Sequence, residues 1–122
     1  MKANELMIGD WLQHASGKYF QITRLDEWKD DSVHFACGHP HLWEYNNEFT
    51  PISITPEILV NNGFQQISTN KYVSGQVTIA IFVEEFLITI KSGGVRVMIT
   101  IKYVHELQHA LRLCGIEKDI KL

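Results

Sequence analysis

The sequence contains little of what marks a secreted, membrane-spanning or disulfide-stabilised protein. Its 122 residues include only two cysteines, Cys37 and Cys114, which cannot make a disulfide framework and belong to no C-x-x-C redox motif. No apolar run approaches the ~20 residues that a membrane-spanning helix needs. Residues 1–5 lack the apolar core of a signal peptide. These absences predict a soluble, cytoplasmic protein that does not bind membranes.

Motifs that bind cofactors or activate nucleophiles are also missing. The chain has no phosphate loop, no G-x-G-x-x-G and no G-x-S-x-G. The glycine pair Gly93-Gly94 lies in a predicted hairpin turn and lacks the following helix that an anion site would use. Low-complexity tracts and internal repeats are absent. The sequence therefore predicts no cofactor.

Charge and aromatic residues are unevenly distributed along the chain. Eleven basic and 14 acidic residues give a net charge of −3, which argues against a dedicated nucleic-acid binder. Residues 1–55 hold four basic and eight acidic residues, a balance of −4, and eight of the 13 aromatic residues lie in the first fifty positions. We predict one composite domain over 1–122 with two subregions, 1–54 and 55–122, because about 60 residues each is small for independent domains.

The first subregion is predicted to consist of short strands joined by tight turns. Alternating apolar residues predict strands at 11–13, 18–25 and 32–37. Gly9-Asp10 and Ser16-Gly17 are turn signals, and the charged stretch 26–31 is typical of a solvated loop. Several short, aromatic-rich strands of this kind fit a small SH3-like β-barrel.

The second subregion is predicted to be an antiparallel β-meander with one C-terminal helix. Thr55-Pro56-Glu57 opens a short linking helix that ends at Asn61-Asn62-Gly63. Alternation at 77–83, 86–91 and 95–102 predicts three strands. From Tyr103 the apolar period changes to 3.6, which predicts a helix that ends at Gly115 and packs one stripe on the sheet. The members of that stripe are Val104, Leu107, Leu111 and Cys114. The fold class is therefore α+β.

The C-terminal helix carries the H-E-x-x-H pattern of zinc metallopeptidases at 105–109. His105 and His109 are four apart, so both can reach one zinc ion, and Glu106 between them can act as the general base. A catalytic zinc also needs a third protein ligand, and Arg112 and Gly115 stand where the extended motif has Gly and His. We interpret the match as a coincidence on a solvated helical flank and predict that the protein is not an enzyme.

A second cluster with metal-ligand chemistry is Cys37-Gly38-His39-Pro40-His41. Residues two apart in an extended chain face the same way, so Cys37, His39 and His41 could converge on zinc. Gly38 and Pro40 indicate a turn instead, and the spacing matches no common zinc module. We interpret the cluster as a surface loop, and these residues as less favoured ligands than the helical histidines.

Trp28 is the candidate interaction residue. It is surrounded by the charged residues 26–31, unlike the other two tryptophans. A tryptophan in such a loop either folds back onto its own subregion or contacts a partner.

Three stretches carry a resemblance to a known family: the opening 1–11, the segment 51–64 and the segment 101–108. They resemble a family of small uncharacterised proteins from Bacteroides-type gut bacteria and from their phages and mobile elements. Segment 51–64 is similar to the family's I-P-L-T-E-E-W-L-L-K-F-G-F, and 101–108 is similar to its K-Y-V-H-Q-L-Q-N helix. Leu111 and Gly115 follow the last stretch as in that family. The resemblance spans the whole chain and implies no established activity.

The resemblance bears on the zinc motif. The family pattern keeps a histidine matching His105 but has Gln and Asn where this chain has Glu106 and His109. It therefore implies that H-E-L-Q-H arose by drift on a structural helix, with His105 in a packing or hydrogen-bonding role near the preceding strand.

Together these observations predict a non-enzymatic protein-interaction or accessory module of a phage or mobile-element locus. The partner would be an unknown protein or a second copy, met by Trp28 or by exposed strand edges. One alternative is a zinc metallohydrolase with His105 and His109 as ligands. The other is a nucleic-acid-binding accessory that uses the small barrel, against which the acidic charge of the first subregion weighs.

Overall fold

The computed structural model describes residues 7–27, 33–36, 43–44, 49–83, 85–92, 94–116 and 118–122. Contacts between residues divide the chain into two compact units, Met1–Ile52 and Ser53–Leu122. The α+β class is confirmed, because antiparallel sheets and helices both form. That the two units make one composite domain stays a prediction.

The first unit contains two three-stranded antiparallel sheets in its described residues. In one, β1 (Trp11–His14) lies between β2 (Tyr19–Gln21) and β6 (Phe49–Pro51). The other has the order β3-β4-β5, formed by Arg24–Glu27, Val33–Ala36 and Trp43–Glu44. The described strands do not close into a barrel, so the SH3-like barrel stays a prediction.

The strand predicted at 18–25 is wrong in its extent, because the chain leaves the first sheet at Ile22. The backbone N–H of Ile22 donates to the Asp10 carbonyl at 2.8 Å, and its carbonyl accepts the Gly9 N–H at 2.7 Å. Ile22 thus pairs with the turn that precedes β1, and its side chain is buried. The chain then begins β3 in the other sheet, so the predicted loop at 26–31 also starts too early.

The short helix α1 (Pro56–Asn61) forms as the sequence predicts. The Thr55 hydroxyl accepts the backbone N–H of Ile58 at 3.2 Å, and Pro56 occupies the first position, where an N–H would have no helical partner. Gly63 follows the helix with a φ of 86°, a left-handed conformation that glycine adopts without steric cost.

The second unit is built on a five-stranded antiparallel meander with the order β11-β10-β9-β8-β7. Its strands are β7 (Gln65–Ser68), β8 (Lys71–Ser74), β9 (Val77–Ile81), β10 (Phe86–Ser92) and β11 (Val95–Ile101). The last three confirm the predicted meander. The sequence does not predict β7, because Gln-Gln-Ile-Ser has no alternating apolar pattern and every residue of it is exposed. Pairing with β8 makes it a strand.

One face of this sheet and helix α2 (Val104–Leu113) share the core of the second unit. Ile79, Ile88 and Ile99 are successive cross-strand partners, so they lie on one face of the sheet. α2 contacts β11 and buries Val104, Leu107, Ala110 and Leu111, which confirms that the helix packs on the meander. Cys114, predicted on the same stripe, is half-buried just past the helix. None of the helices that the structure describes is long and apolar enough to cross a membrane.

The segment after α2 is held against α1 by Asn62. The side-chain amide of Asn62 donates to the Lys121 carbonyl at 2.9 Å, and its Oδ1 accepts the Lys121 N–H at 2.7 Å. Ile120 in this segment is buried, and the Lys118 ammonium lies 5.4 Å from the centre of the Phe64 ring. The C-terminal segment is therefore part of the packed unit.

Candidate functional site

The H-E-x-x-H residues lie on α2, and they do not share one solvated face. His105 and Gln108 are buried, with 2% and 6% of their surface exposed, whereas Glu106 and His109 are half-buried. The predicted solvated flank is therefore wrong for His105 and Gln108. The physical reason is that His105 and Gln108 are three apart on α2, beside the buried Val104, Leu107 and Leu111, so they belong to the buried side of the helix.

Glu106 holds the start of α2 in place. Its Oε1 accepts the backbone N–H groups of Lys102 and Tyr103, each at 3.0 Å. Tyr103 is the N-cap residue and Glu106 the third residue of the helix, so this is the glutamate half of a capping box. The negative charge also lies near the positive end of the helix dipole. The carboxylate proposed as a general base thus has a structural task that the spacing alone does not reveal.

The two histidines of the motif pack against an aromatic ring and against each other. The His105 ring stacks on Tyr103, with centroids 5.8 Å apart and planes 11° apart. His109 meets His105 edge to face, with centroids 5.6 Å apart and planes 77° apart. His105 therefore packs against Tyr103, which follows the end of β11.

A metal site at this position lacks a third ligand among the residues described. A catalytic zinc needs three protein ligands and an open position. No group of three His, Cys, Asp or Glu side chains that could hold a metal occurs in the described ranges. Cys37, His39 and His41 lie outside those ranges, and so does Trp28. The hypotheses that rest on these four residues stay predictions.

The edge of the sheet at β11 presents backbone groups in the direction away from β10. The Lys91 N–H donates to the backbone carbonyl of Gln76, just before β9, at 3.1 Å, so it points away from β11. Lys91 and its partner Arg96 on β11 are therefore a non-hydrogen-bonded cross-strand pair. Since this pattern alternates along an antiparallel ladder, the N–H and C=O groups of Arg96, Met98 and Thr100 point outward. In the described part of the chain no strand pairs with this edge along β11.

Just past β11 the same edge already accepts an extended segment of the chain. Ile54 donates its N–H to the Lys102 carbonyl at 3.1 Å, and Ser53 forms an antiparallel bridge with Tyr103. The chain then enters α1 at Pro56. In the part of the chain that the structure describes, the stretch from Arg96 to Thr100 is therefore unpaired, next to a place where strand pairing does occur.

A groove of about 230 Å³ runs between this edge and α2. Its strand side is formed by residues 99–101, and its helix side by Glu106, His109, Ala110 and Leu113. Glu106 is three residues before His109 and four before Ala110, and Leu113 follows these two at four and three, so all four residues lie along one flank of α2. Leu113 is 77% exposed, which leaves an apolar side chain at the mouth of the groove.

The charged residues in the strands of the five-stranded sheet are all basic. Its five strands contain no acidic residue and three basic ones, Lys71, Lys91 and Arg96, all exposed. Lys91 and Arg96 are directly opposite each other on β10 and β11. Like charges in that relationship destabilise a sheet unless a counter-charge is near.

The sequence predicts exposed strand edges, but not which edge or which residues. The available signal is the position of β11, which is the last strand of the meander and is followed by a helix. Leu113 lies off the stripe formed by Val104, Leu107 and Leu111, and its role at the groove appears only when α2 is placed beside β11.

Comparison with known proteins identifies no relative. No family model, no curated protein and no solved structure matches this chain. The resemblance to the family from Bacteroides-type bacteria stays a prediction, and function is inferred from the geometry of the chain itself.

Proposed function

We propose that this protein is a non-enzymatic protein-interaction module of a phage or mobile-element locus, and that it binds an extended segment of a partner protein as an added strand at β11. The observation that supports this proposal most directly is that the backbone N–H and C=O groups of Arg96, Met98 and Thr100 point outward beside the groove. An unpaired strand edge offers N–H and C=O groups at the spacing that an extended peptide needs. The phage or mobile-element setting rests on the family resemblance alone.

Two kinds of contact would stabilise the added strand. Each backbone hydrogen bond to the edge would contribute about 0.5–1.5 kcal/mol net. An apolar side chain placed in the groove would contribute about 1.5–3 kcal/mol more by leaving water. Backbone bonds of this kind supply affinity, and pockets for alternate side chains supply selectivity. The antiparallel bridge between Ser53 and Tyr103 supports the proposal, because it forms on the continuation of the same edge.

The test is selection of displayed peptides against the full chain, followed by binding measurements on two variants of Met98. Met98→Pro removes an N–H that points outward, and it leaves the β10–β11 ladder intact because Met98 and Thr89 form a non-hydrogen-bonded pair. Met98→Ala is the matched control, since it shortens the side chain and keeps the N–H. We expect the proline variant to bind the selected peptides about tenfold more weakly, and the alanine variant within about threefold of the original chain.

Two results would count against the proposal. Peptides that bind the proline variant as well as the original chain would place the contact elsewhere, and failure to select any peptide would remove the support for strand addition. Analytical ultracentrifugation of the same variants measures whether the chain forms a dimer through this edge. A concentration-dependent dimer that Met98→Pro abolishes would assign the edge to a second copy of the chain.

A further inference from the structure

We infer that the segment accepted at β11 alternates between apolar and polar residues and carries an acidic residue opposite Arg96. The inference rests on the proposed function and adds the chemistry of the partner. In antiparallel order, the partner would place a polar residue opposite Thr100, apolar residues opposite Ile99 and Val97, and a carboxylate opposite Arg96.

The carboxylate is inferred from the uncompensated pair Lys91 and Arg96. These two cations are cross-strand partners in a non-hydrogen-bonded pair, the arrangement that brings side chains closest. No acidic residue lies in any strand of the sheet to balance them. A strand added at β11 would place one of its residues directly opposite Arg96, on the same face of the sheet as Arg96 and Lys91. An acidic side chain there would be adjacent to Arg96 and within one further strand spacing, ~4.8 Å, of Lys91.

The apolar positions are inferred from the groove. Residues directly opposite each other in an antiparallel pair share a face of the sheet. Val97 and Ile99 lie on the face of β11 that α2 covers, because their partners Ile90 and Ile88 are fully buried. Ile99 lines the groove, so the partner residue opposite it would enter the groove beside Ala110 and the exposed Leu113. The partner residue opposite Val97 would lie on the same apolar face of the sheet.

The side chains along the β11 edge favour a protein partner over a nucleic acid. Single-stranded nucleic acid binds such surfaces by stacking its bases on exposed aromatic rings. The strand β11 contains no aromatic residue. Phe86 on the neighbouring β10 is half-buried, and Tyr72 on β8 is buried with 3% of its surface exposed. The edge instead offers branched apolar residues and outward backbone groups, which match an extended peptide.

The experiment uses three synthetic peptides and the full, isotope-labelled chain. The peptides are Gly-Thr-Ile-Thr-Val-Glu-Gly and the two versions with Gln or Lys in place of Glu. Backbone amide shifts of Arg96, Met98 and Thr100 report binding at β11, and those of β7 (Gln65–Ser68) report the other edge of the same sheet. We expect shifts at β11, with the Glu peptide binding about two- to fivefold more tightly than the Gln peptide and the Lys peptide binding most weakly.

A charge reversal tests whether Arg96 reads the carboxylate. In Arg96→Glu we expect the order of the three peptides to reverse, so that the Lys peptide binds most tightly. Lys71→Glu is the matched control, because it makes the same change of charge on an exposed residue of β8. That strand lies three strand spacings from β11, about 14 Å, which exceeds the screening length of about 10 Å at 0.1 M salt. We expect the control to leave the original order unchanged.

The outcomes separate this inference from the proposed function. Equal binding of the three peptides at β11 would overturn the acidic preference and leave strand addition standing. The absence of β11 shifts with every peptide would overturn both. A single-stranded oligothymidine that shifts the Lys91 and Arg96 amides more strongly than the Glu peptide, with a steep salt dependence, would assign the two cations to phosphate groups instead.

Discussion

Glu106 Oε1 lies 3.0 Å from the backbone nitrogen of Tyr103, three residues before it and at the N-cap of α2. The same oxygen accepts the N–H of Lys102, also at 3.0 Å. These bonds join the end of the β11 segment to the first turn of the helix that covers the sheet. The acidic residue that makes the sequence look like a metallopeptidase is thus explained by helix capping.

Replacing Glu106 tests its capping role. We expect Glu106→Ala to lower the free energy of unfolding by about 1 kcal/mol, the usual cost of losing a helix cap. Glu106→Gln should retain most of the stability, because a glutamine oxygen at the third helical position accepts the same N–H. Urea denaturation of both variants measures the difference. Equal losses in the two variants would show that the charge of Glu106, rather than its hydrogen bonds, stabilises α2.

Elemental analysis tests the metal hypothesis at the same helix. We expect the purified chain to hold no stoichiometric zinc, since the described residues supply no third ligand beside His105 and His109. The measurement is metal content per chain, repeated on the double variant His105→Ala, His109→Ala. One zinc per chain that disappears in the double variant would establish a metal site and reverse our interpretation.

The two histidines should differ in their effect on stability. His105 is 2% exposed and stacked on Tyr103, so His105→Ala should lower the free energy of unfolding by about 1–3 kcal/mol. His109 is half-buried, and His109→Ala should cost less than about 1 kcal/mol. Thermal or urea unfolding of the single variants checks the order. A larger loss at His109 would contradict the packing that the structure shows.

Asn62 should contribute more to stability than its neighbour Asn61. Asn62→Ala removes two hydrogen bonds to Lys121, and we expect a loss of about 1–2 kcal/mol. Asn61→Ala is the control, because Asn61 is exposed and should change stability by less than about 0.5 kcal/mol. Amide hydrogen exchange at Lys121 gives a local readout and should accelerate only in the Asn62 variant. Unchanged exchange there would show that the buried Ile120 holds the segment without Asn62.

Replacing Gly63 or Gly115 by alanine should lower the free energy of unfolding. Both have positive φ, 86° and 70°, and either substitution should cost about 1 kcal/mol for that conformation. A Cβ at Gly63 would also lie 3.2 Å from the Lys118 Nζ, whereas a Cβ at Gly115 would meet nothing within 4 Å. The end of the Lys118 side chain can move by the few tenths of an ångström that this contact requires, so we expect similar losses in the two variants by urea unfolding. A neutral or stabilising effect at both positions would contradict the left-handed conformation.

The parts of the fold that the sequence predicts are those with strong local signals. Thr55 and Pro56 begin α1 and Gly63 follows its end, all through interactions within a few residues. β7 is different, because its conformation comes from pairing with β8 rather than from its own residues. The interruption at Ile22 has the same origin, since hydrogen bonds to Gly9 and Asp10 from an earlier turn decide where β2 stops.

The candidate site is less accessible to sequence reasoning than the fold. The spacing of His105 and His109 correctly places both on α2, but spacing does not say which of them faces the core. A glutamate at the third helical position is a capping signal, yet Tyr103 is not a residue type that usually precedes it at the N-cap. The groove has no local signal at all, because it exists only where the flank of α2 runs beside β11.

The row formed by Lys91 and Arg96 also bears on how the chain behaves at high concentration. An open strand edge is a template on which identical chains can stack into aggregates, and charged side chains on the edge are a common protection. In-register parallel stacking of β11 on β11 would place Arg96 beside Arg96 and add to a repulsion already present within each copy. The same cations that would recruit an acidic strand thus oppose growth of an in-register parallel sheet from the chain's own copies.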